Sequence, residues 1–216
     1  MSMHPEWLKF RRSPAALGLA AGSLALPLLL WAFNQYGPEG TSAQANVGSW
    51  LLAPYALVAL LAPYLLTLDD QLGTLKWIQT TPTRALSLVL GKWGVVLGLA
   101  LLSVPLSAAL GLMTGVTVQS AVAGLAGVLT SLLVITAVSL LTRSFPAVLI
   151  VGVVWMQLAP RLLTVLPEGA RPGVWAALPG LGLSQYSEGP LAARLLGVSV
   201  TVLLIAALLR RRSPAW

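Results

Sequence analysis

The chain has 216 residues, of which 57% are hydrophobic and only 9% are charged. A soluble globular domain has about 25% charged residues, so this composition excludes a water-soluble domain and a disordered segment. The net charge of +7 does not indicate nucleic-acid binding, because the 13 lysines and arginines stand mostly at the ends of apolar runs, as in membrane proteins. We therefore predict a single all-α, polytopic transmembrane domain over residues 1–216.

Long stretches without charge define the predicted membrane helices. A helix needs about 20 apolar residues to cross the bilayer, and uncharged stretches cover residues 13–38, 40–68 and 93–142. The last stretch is long enough for two helices, with a break at the glycine-rich and polar residues 111–120. Two further apolar runs complete six predicted spans, at residues 14–33, 47–68, 86–112, 121–141, 146–163 and 191–209.

The distribution of basic residues predicts that both termini lie in the cytoplasm. With the N-terminus inside, the cytoplasmic segments hold ten of the 13 lysines and arginines, and the opposite segments hold only Arg161, Arg171 and Arg194. An excess of basic residues marks the cytoplasmic side. We expect a multi-pass protein of the inner or plasma membrane, whose first span is retained because no small-residue cleavage site follows its basic start.

Two segments outside the spans have distinctive compositions. Residues 3–12 combine Trp7 and Phe10 with basic side chains, a pattern that predicts either a short helix in the cytoplasmic membrane interface or a frayed charged tail. Residues 166–190 are rich in proline, glycine and aromatic residues. This composition predicts a re-entrant external segment before the sixth span.

The sequence lacks the groups that catalysis needs. The only histidine is His4, there is no cysteine, and the six acids lie in predicted loops or tails. We therefore predict no enzyme activity, no metal site and no bound cofactor. Gly91-Lys92 is not part of a phosphate-binding loop, because the glycine five positions earlier and the following Ser or Thr are missing. We interpret Lys92 as a basic anchor at the start of the third span.

Hydroxyl groups recur on the third and fourth predicted spans. They allow two interpretations, either hydrogen bonds between packed helices or a polar lining for a substrate pathway. The candidate pathway residues are Ser103, Ser107, Ser131, Thr136 and Ser139.

The loop after the second predicted span, residues 69–84, has the pattern of a short amphipathic helix. Leu72, Leu75 and Ile78 recur at helical spacing. Thr81-Pro82 then has the pattern of a helix cap followed by a first-turn proline, which indicates the start of a new helix. A cytoplasmic helix with an apolar face must cover that face with membrane or with a partner protein.

At this loop the sequence resembles the permeases of type-2 ATP-binding-cassette exporters. In that family an acidic residue precedes Gly-Thr-Leu-Glu, a Thr-Pro-like break, and Leu-Gly-Lys at the entry to the third helix. This chain has Asp70, residues 73–75, residues 81–82 and residues 90–92 at the matching places, and it departs from the family at Lys76. The predicted layout of an interface helix, six spans and a long loop after the second span is also similar.

The resemblance implies that this chain forms the substrate pathway of an exporter, while a separate cytoplasmic ATPase binds and hydrolyses ATP. It also implies that two permease subunits, identical or different, pair in the bilayer. The loop after the second span would contain the coupling helix that docks on the ATPase, and the short loop between the fourth and fifth spans would be a second contact. The implied coupling residues are Asp69, Asp70, Leu72, Gly73, Thr74, Leu75, Lys76, Ile78, Pro82, Thr142, Arg143 and Ser144.

Three alternatives stay open at this point. In its small size, the chain also resembles the haem-exporter membrane subunit of cytochrome c maturation. A secondary carrier or channel not driven by ATP would need an inverted repeat, and residues 14–112 and 121–209 show no convincing match. An intramembrane enzyme would need paired acids or histidines within the bilayer, which the predicted spans lack; a membrane scaffold would need neither.

Overall fold

The computed structural model describes residues 5–37, 49–71, 85–152 and 191–212, together with single positions between residues 154 and 170. Within this part of the chain every regular element is helical, as the all-α prediction requires. The predicted coupling helix at residues 72–84 lies outside the described residues, as does nearly all of the predicted re-entrant segment. The elements are α1 (Pro5–Arg12), α2 (Pro14–Tyr36), α3 (residues 49–71), α4 (Ala85–Ala109), α5 (Val118–Thr142), α6 (residues 145–152) and α7 (Leu191–Arg212).

Four described helices are long and apolar enough to cross a membrane. They coincide with the first four predicted spans to within a few residues, and they are Pro14–Tyr36, Ser49–Asp69, Leu86–Ala109 and Val118–Thr142. Helix α6 lies at the start of the predicted fifth span, and α7 covers the predicted sixth span. Membrane crossing by these last two helices stays a prediction.

The connection between α4 and α5 is a turn at the break predicted from the sequence. Gly111 and Gly115 have φ angles of +72° and +75°, a conformation that glycine adopts at little cost. Thr117 caps α5, because its side chain accepts a hydrogen bond from the Ser120 amide while the Ser120 hydroxyl accepts one from the Thr117 amide. These features end α4 earlier and begin α5 earlier than the sequence predicts.

Helix α3 contains a π turn immediately before a proline. In an α-helix the ring of Pro63 would clash with the carbonyl four residues earlier, and one extra residue in the preceding turn relieves that clash. The amide of Ala62 accordingly donates to the carbonyl of Leu57, five residues before it. The successive pieces of α3 are a 3₁₀ turn at Ser49–Leu51, an α-helix at Leu52–Ala56, the π turn at Leu57–Leu61 and an α-helix at Ala62–Gln71.

Helix α3 is the centre of the bundle. It contacts α2, α4 and α5, while α7 packs on α5 and α1 packs on α2 and α4. Close helix packing supplies most of the stabilisation inside a bilayer, because lipid tails are as apolar as the side chains. The largest fully buried side chains include Trp50, Leu57, Leu61, Val95, Leu132 and Ile135.

Candidate coupling site at the N-terminal end of the bundle

Helix α1 is docked on the bundle by one face. The structure contains a helix where the sequence allowed either a helix or a frayed tail. Phe10 is buried, and the Trp7 ring meets it edge to face with 5.7 Å between ring centroids. Trp7 also covers Gly98 of α4, where a Cβ atom would lie 3.4 Å from the indole. The indole therefore lies at van der Waals distance from the backbone of α4 at Gly98.

A cluster of ion pairs joins α1 to α3 and α4. The Lys9 ammonium lies 2.9 Å from Glu6 Oε1 and 3.1 Å from Asp69 Oδ1. The other carboxylate oxygen of Asp69, Oδ2, lies 2.7 Å from Lys92 Nζ. We call Glu6, Lys9, Asp69 and Lys92 the ion cluster. Asp69 therefore connects two helices at the point where α3 leads into the predicted coupling segment.

The ion cluster is mostly removed from water. The side chains of Asp69 and Lys92 are 7% and 8% exposed, and that of Lys9 is 38% exposed. Buried charges are tolerated only when they are paired and hydrogen-bonded, and among the described residues two carboxylates face two ammonium groups in this cluster. Losing Asp69 would leave the buried Lys92 ammonium without a counter-ion among the described residues.

Lys9 is the member of the cluster that lies on α1. Burial by itself lowers the pKa of Lys9, but its hydrogen bond to Glu6 and the charges of Asp69 and Glu6 outweigh that effect and raise the pKa above its ordinary value. A raised lysine pKa means that the stabilisation is fully present at neutral pH and is lost only as pH rises through a strongly alkaline range. The contribution of Lys9 to the ion pair that joins α1 to α3 is therefore insensitive to physiological changes in pH.

A second set of contacts brings the start of α6 to the same end of the bundle. The Ser13 hydroxyl, which caps α2, lies 3.0 Å from the Tyr64 hydroxyl on α3. The Tyr64 ring meets Phe145 edge to face at a centroid distance of 5.8 Å. Tyr64 thus connects the start of α2, the second half of α3 and the start of α6.

The predicted second contact, Thr142 to Ser144, forms a very short turn at this end. Helix α5 ends at Thr142, and Arg143 adopts a left-handed conformation with φ of 54°, donating its amide to the Ser139 carbonyl. The Ser144 carbonyl already accepts a hydrogen bond from the Val148 amide, so α6 begins at once. Thr142 and Arg143 are exposed. Such a short, hydrogen-bonded turn can present a fixed surface to a partner.

The predicted coupling residues fall into two groups. The structure places Asp69, Thr142, Arg143 and Ser144 at one end of the bundle, and it places the backbone of Asp70 in the last turns of α3. The remaining members lie outside the described residues, and they are Leu72, Gly73, Thr74, Leu75, Lys76, Ile78 and Pro82. Their roles stay predictions.

The predicted pathway hydroxyls are all buried inside the helix bundle. Ser103, Thr136 and Ser139 donate to carbonyls of their own helices, at 2.6 to 2.7 Å. Ser107 donates to the Trp50 carbonyl on α3, and the Trp93 indole N–H donates to the Thr136 hydroxyl, which joins α4 to α5. The Ser131 hydroxyl is buried without a hydrogen-bond partner among the described residues. A pathway lined by these groups stays a prediction.

Three members of the ion cluster were not predicted as site residues. Lys92 is predicted to be a basic anchor, but its side chain is buried against Asp69. Lys9 is one of the basic residues whose distribution predicts the orientation, and the sequence pattern gives Glu6 no site role. One sequence signal was available, since a carboxylate at the end of an apolar helix needs a nearby cation. The sequence alone does not indicate which lysine supplies it.

Comparison with known families identifies the family of this chain. A family model described as ABC-2 family transporter protein matches residues 3–166, which include α1, the ion cluster and the Thr142–Ser144 turn. The chain belongs to the ABC-2 transporter family. The protein is therefore a multi-pass permease, and membrane subunits of this family generally work with a cytoplasmic ATP-binding-cassette ATPase. No curated protein and no solved structure matches the chain.

Proposed function

We propose that this permease is the membrane subunit of an ATP-driven exporter and that it transmits force from a separate ATPase through residues 69–84. The ATPase binds and hydrolyses ATP, and the permease itself holds no cofactor. Two permease subunits, identical or different, form the substrate pathway. Both termini, α1 and the ATPase lie on the cytoplasmic side.

The observation that carries this proposal is the anchoring of Asp69 by Lys9 and Lys92. Asp69 lies three residues before Leu72, where the predicted amphipathic pattern begins. A displacement of the coupling segment therefore acts on a residue that is bound to α1 and α4, rather than on a flexible connection. The short turn at Thr142–Ser144 supplies a second fixed contact on the same side.

The docking of the ATPase can be tested by changing Leu75 and Ile78 together to aspartate. In the predicted helix these side chains form the apolar face, and two carboxylates there cannot be buried against a partner without a large penalty. We expect the ATPase to be lost when the tagged permease is purified from membranes in mild detergent. The amount of permease in the membrane should not change, because the six predicted spans are intact.

A matched control changes Thr80 and Thr83 together to aspartate. This variant adds the same two charges to the same segment but leaves Leu75 and Ile78 in place, and we expect normal recovery of the ATPase. Normal recovery with the Leu75→Asp/Ile78→Asp variant, together with normal ATP hydrolysis by the complex, would overturn the docking role.

A further inference from the structure

The outward face of α1 consists of one leucine and two arginines. Leu8 is 42% exposed, and Arg11 and Arg12 are also exposed. The opposite face is fixed, because Lys9 is bound to Asp69 and Phe10 is buried. The helix cannot roll without breaking an ion pair and exposing an aromatic ring to water. Leu8, Arg11 and Arg12 are therefore held facing away from the bundle.

Basic residues at this end divide into two chemical groups. Lys9 and Lys92 turn inward to carboxylates, whereas Arg11, Arg12 and Arg143 are exposed. In the part of the chain that the structure describes, none of these three guanidinium groups has a carboxylate within ion-pair distance. Guanidinium binds phosphate oxygens through two parallel hydrogen bonds, a geometry that an ammonium group does not provide.

The position of α1 places this face at a membrane boundary. Helix α2 begins at Pro14, only two residues after α1 ends, and it is one of the helices able to cross the bilayer. Leu17, at the end of the first turn of α2, is already 43% exposed, which suits contact with acyl chains. Leu8 is then next to the outer part of the hydrocarbon, and the arginines are next to the headgroups.

We propose that Leu8, Arg11 and Arg12 form a binding surface for the headgroups of anionic phospholipids. Arginine pairs with the lipid phosphates while Leu8 enters the acyl boundary. A basic residue near an anionic membrane surface favours association by about fivefold, so Arg11 and Arg12 together should enrich anionic lipid more than tenfold. This proposal does not rest on the identity of the ATPase or on transport direction.

The absence of cysteine allows the lipid composition next to α1 to be measured with a single fluorescent label. Leu17→Cys carries a thiol-reactive fluorophore in vesicles of phosphatidylcholine and phosphatidylglycerol, one of which has brominated acyl chains that quench the label. The control label is Val122→Cys, an exposed site in the first turns of α5 at the opposite end of the bundle. We expect preferential quenching by brominated phosphatidylglycerol at residue 17 and equal quenching by the two lipids at residue 122.

The same measurement in the Arg11→Gln/Arg12→Gln variant tests whether the arginines cause the preference. Glutamine keeps the helix propensity and removes the charge, so most of the preference at residue 17 should be lost. Raising the salt concentration to about 1 M shortens the screening length to about 3 Å. This treatment should weaken the preference in the unaltered chain, which gives a test that needs no arginine variant.

Three results would overturn the proposal. The first is equal quenching by both lipids at residue 17, and the second is an equal preference for phosphatidylglycerol at residues 17 and 122. The third is a preference that survives both the glutamine substitutions and high salt. A further result would assign the surface to a protein partner. If the Arg11→Gln/Arg12→Gln variant no longer copurifies with the ATPase, and the unaltered chain shows no lipid preference at residue 17, then the surface binds protein and the lipid assignment is wrong.

Discussion

Asp69 illustrates how much one side chain can hold together in a membrane protein. Each of its carboxylate oxygens lies within ion-pair distance of a different lysine, and those lysines belong to helices far apart in the chain. Lys92 is 8% exposed on its side chain, so it depends on Asp69 more than Lys9 does, because water can partly solvate Lys9. The two ion pairs of Asp69 therefore differ in strength.

The change Asp69→Asn removes the charge and keeps the shape of the side chain. Leaving the buried ammonium of Lys92 without a counter-ion should lower the free energy of unfolding by about 3 kcal/mol. The measurement is thermal or denaturant unfolding of the purified permease in detergent. Lys9→Gln serves as the comparison, and its effect should be clearly smaller because Lys9 is 38% exposed.

The double variant Asp69→Asn/Lys92→Met separates charge from packing. Replacing both members of a buried pair by residues that need no counter-ion is often neutral, so this variant should regain most of the stability lost in Asp69→Asn. A double variant as unstable as the single one would mean that Asp69 acts through other contacts than its pair with Lys92.

Gly124 shows how a small residue allows two elements to approach. A Cβ atom at Gly124 would lie 2.7 Å from Leu51 Cδ1 and 3.3 Å from the Trp50 indole, and Trp50 is 1% exposed. Gly124→Leu should therefore lower stability by about 2 kcal/mol through overpacking. Gly94→Leu is the matched control, since nothing lies within 4 Å of a Cβ there. Equal losses in thermal unfolding for the two variants would contradict this packing.

At the scale of the element, the π turn of α3 accommodates Pro63. The parts of α3 before and after this turn keep their relative orientation. A π turn is an α-helix with one extra residue, so deleting one residue from Leu57–Leu61 should restore an α-helix while the flanking residues keep their orientation. The deletion alone would bring back the clash between the Pro63 ring and the preceding turn. Asp69 stays aligned with Lys92 only if the register after the turn is preserved.

This reasoning predicts a difference between two deletion variants. Deleting Ala59 should destabilise the permease by about 3 kcal/mol, and combining the deletion with Pro63→Ala should recover most of that loss. Ala59 is suitable because it is small and only half-buried. Thermal unfolding of the two purified variants measures this difference in stability. If Pro63→Ala gives no recovery, the π turn is fixed by packing of Leu57 and Leu61 rather than by the proline.

At the scale of the whole molecule, the sequence predicts helices better than it predicts their contacts. Apolar runs locate α2 to α5 within a few residues, because each helix must satisfy its own backbone in lipid. The ion cluster escapes prediction, because no periodicity connects Lys9 or Lys92 to Asp69. The π turn is only partly predictable, since Pro63 indicates an irregularity without specifying its form. The coupling segment remains known from its sequence pattern alone.

The predicted orientation of the permease can be tested at the two ends of one helix. Gln119 and Thr142 are both exposed, in the first and last turns of α5, so single cysteines there compare opposite ends of the same element. The ten-to-three bias of basic residues predicts that Thr142 faces the cytoplasm. A membrane-impermeant thiol reagent added to intact cells should therefore label Gln119→Cys and not Thr142→Cys, while both should react after the membrane is permeabilised. Labelling of Thr142→Cys alone in intact cells would invert the topology and place the ion cluster, and with it the predicted coupling segment, on the side away from ATP.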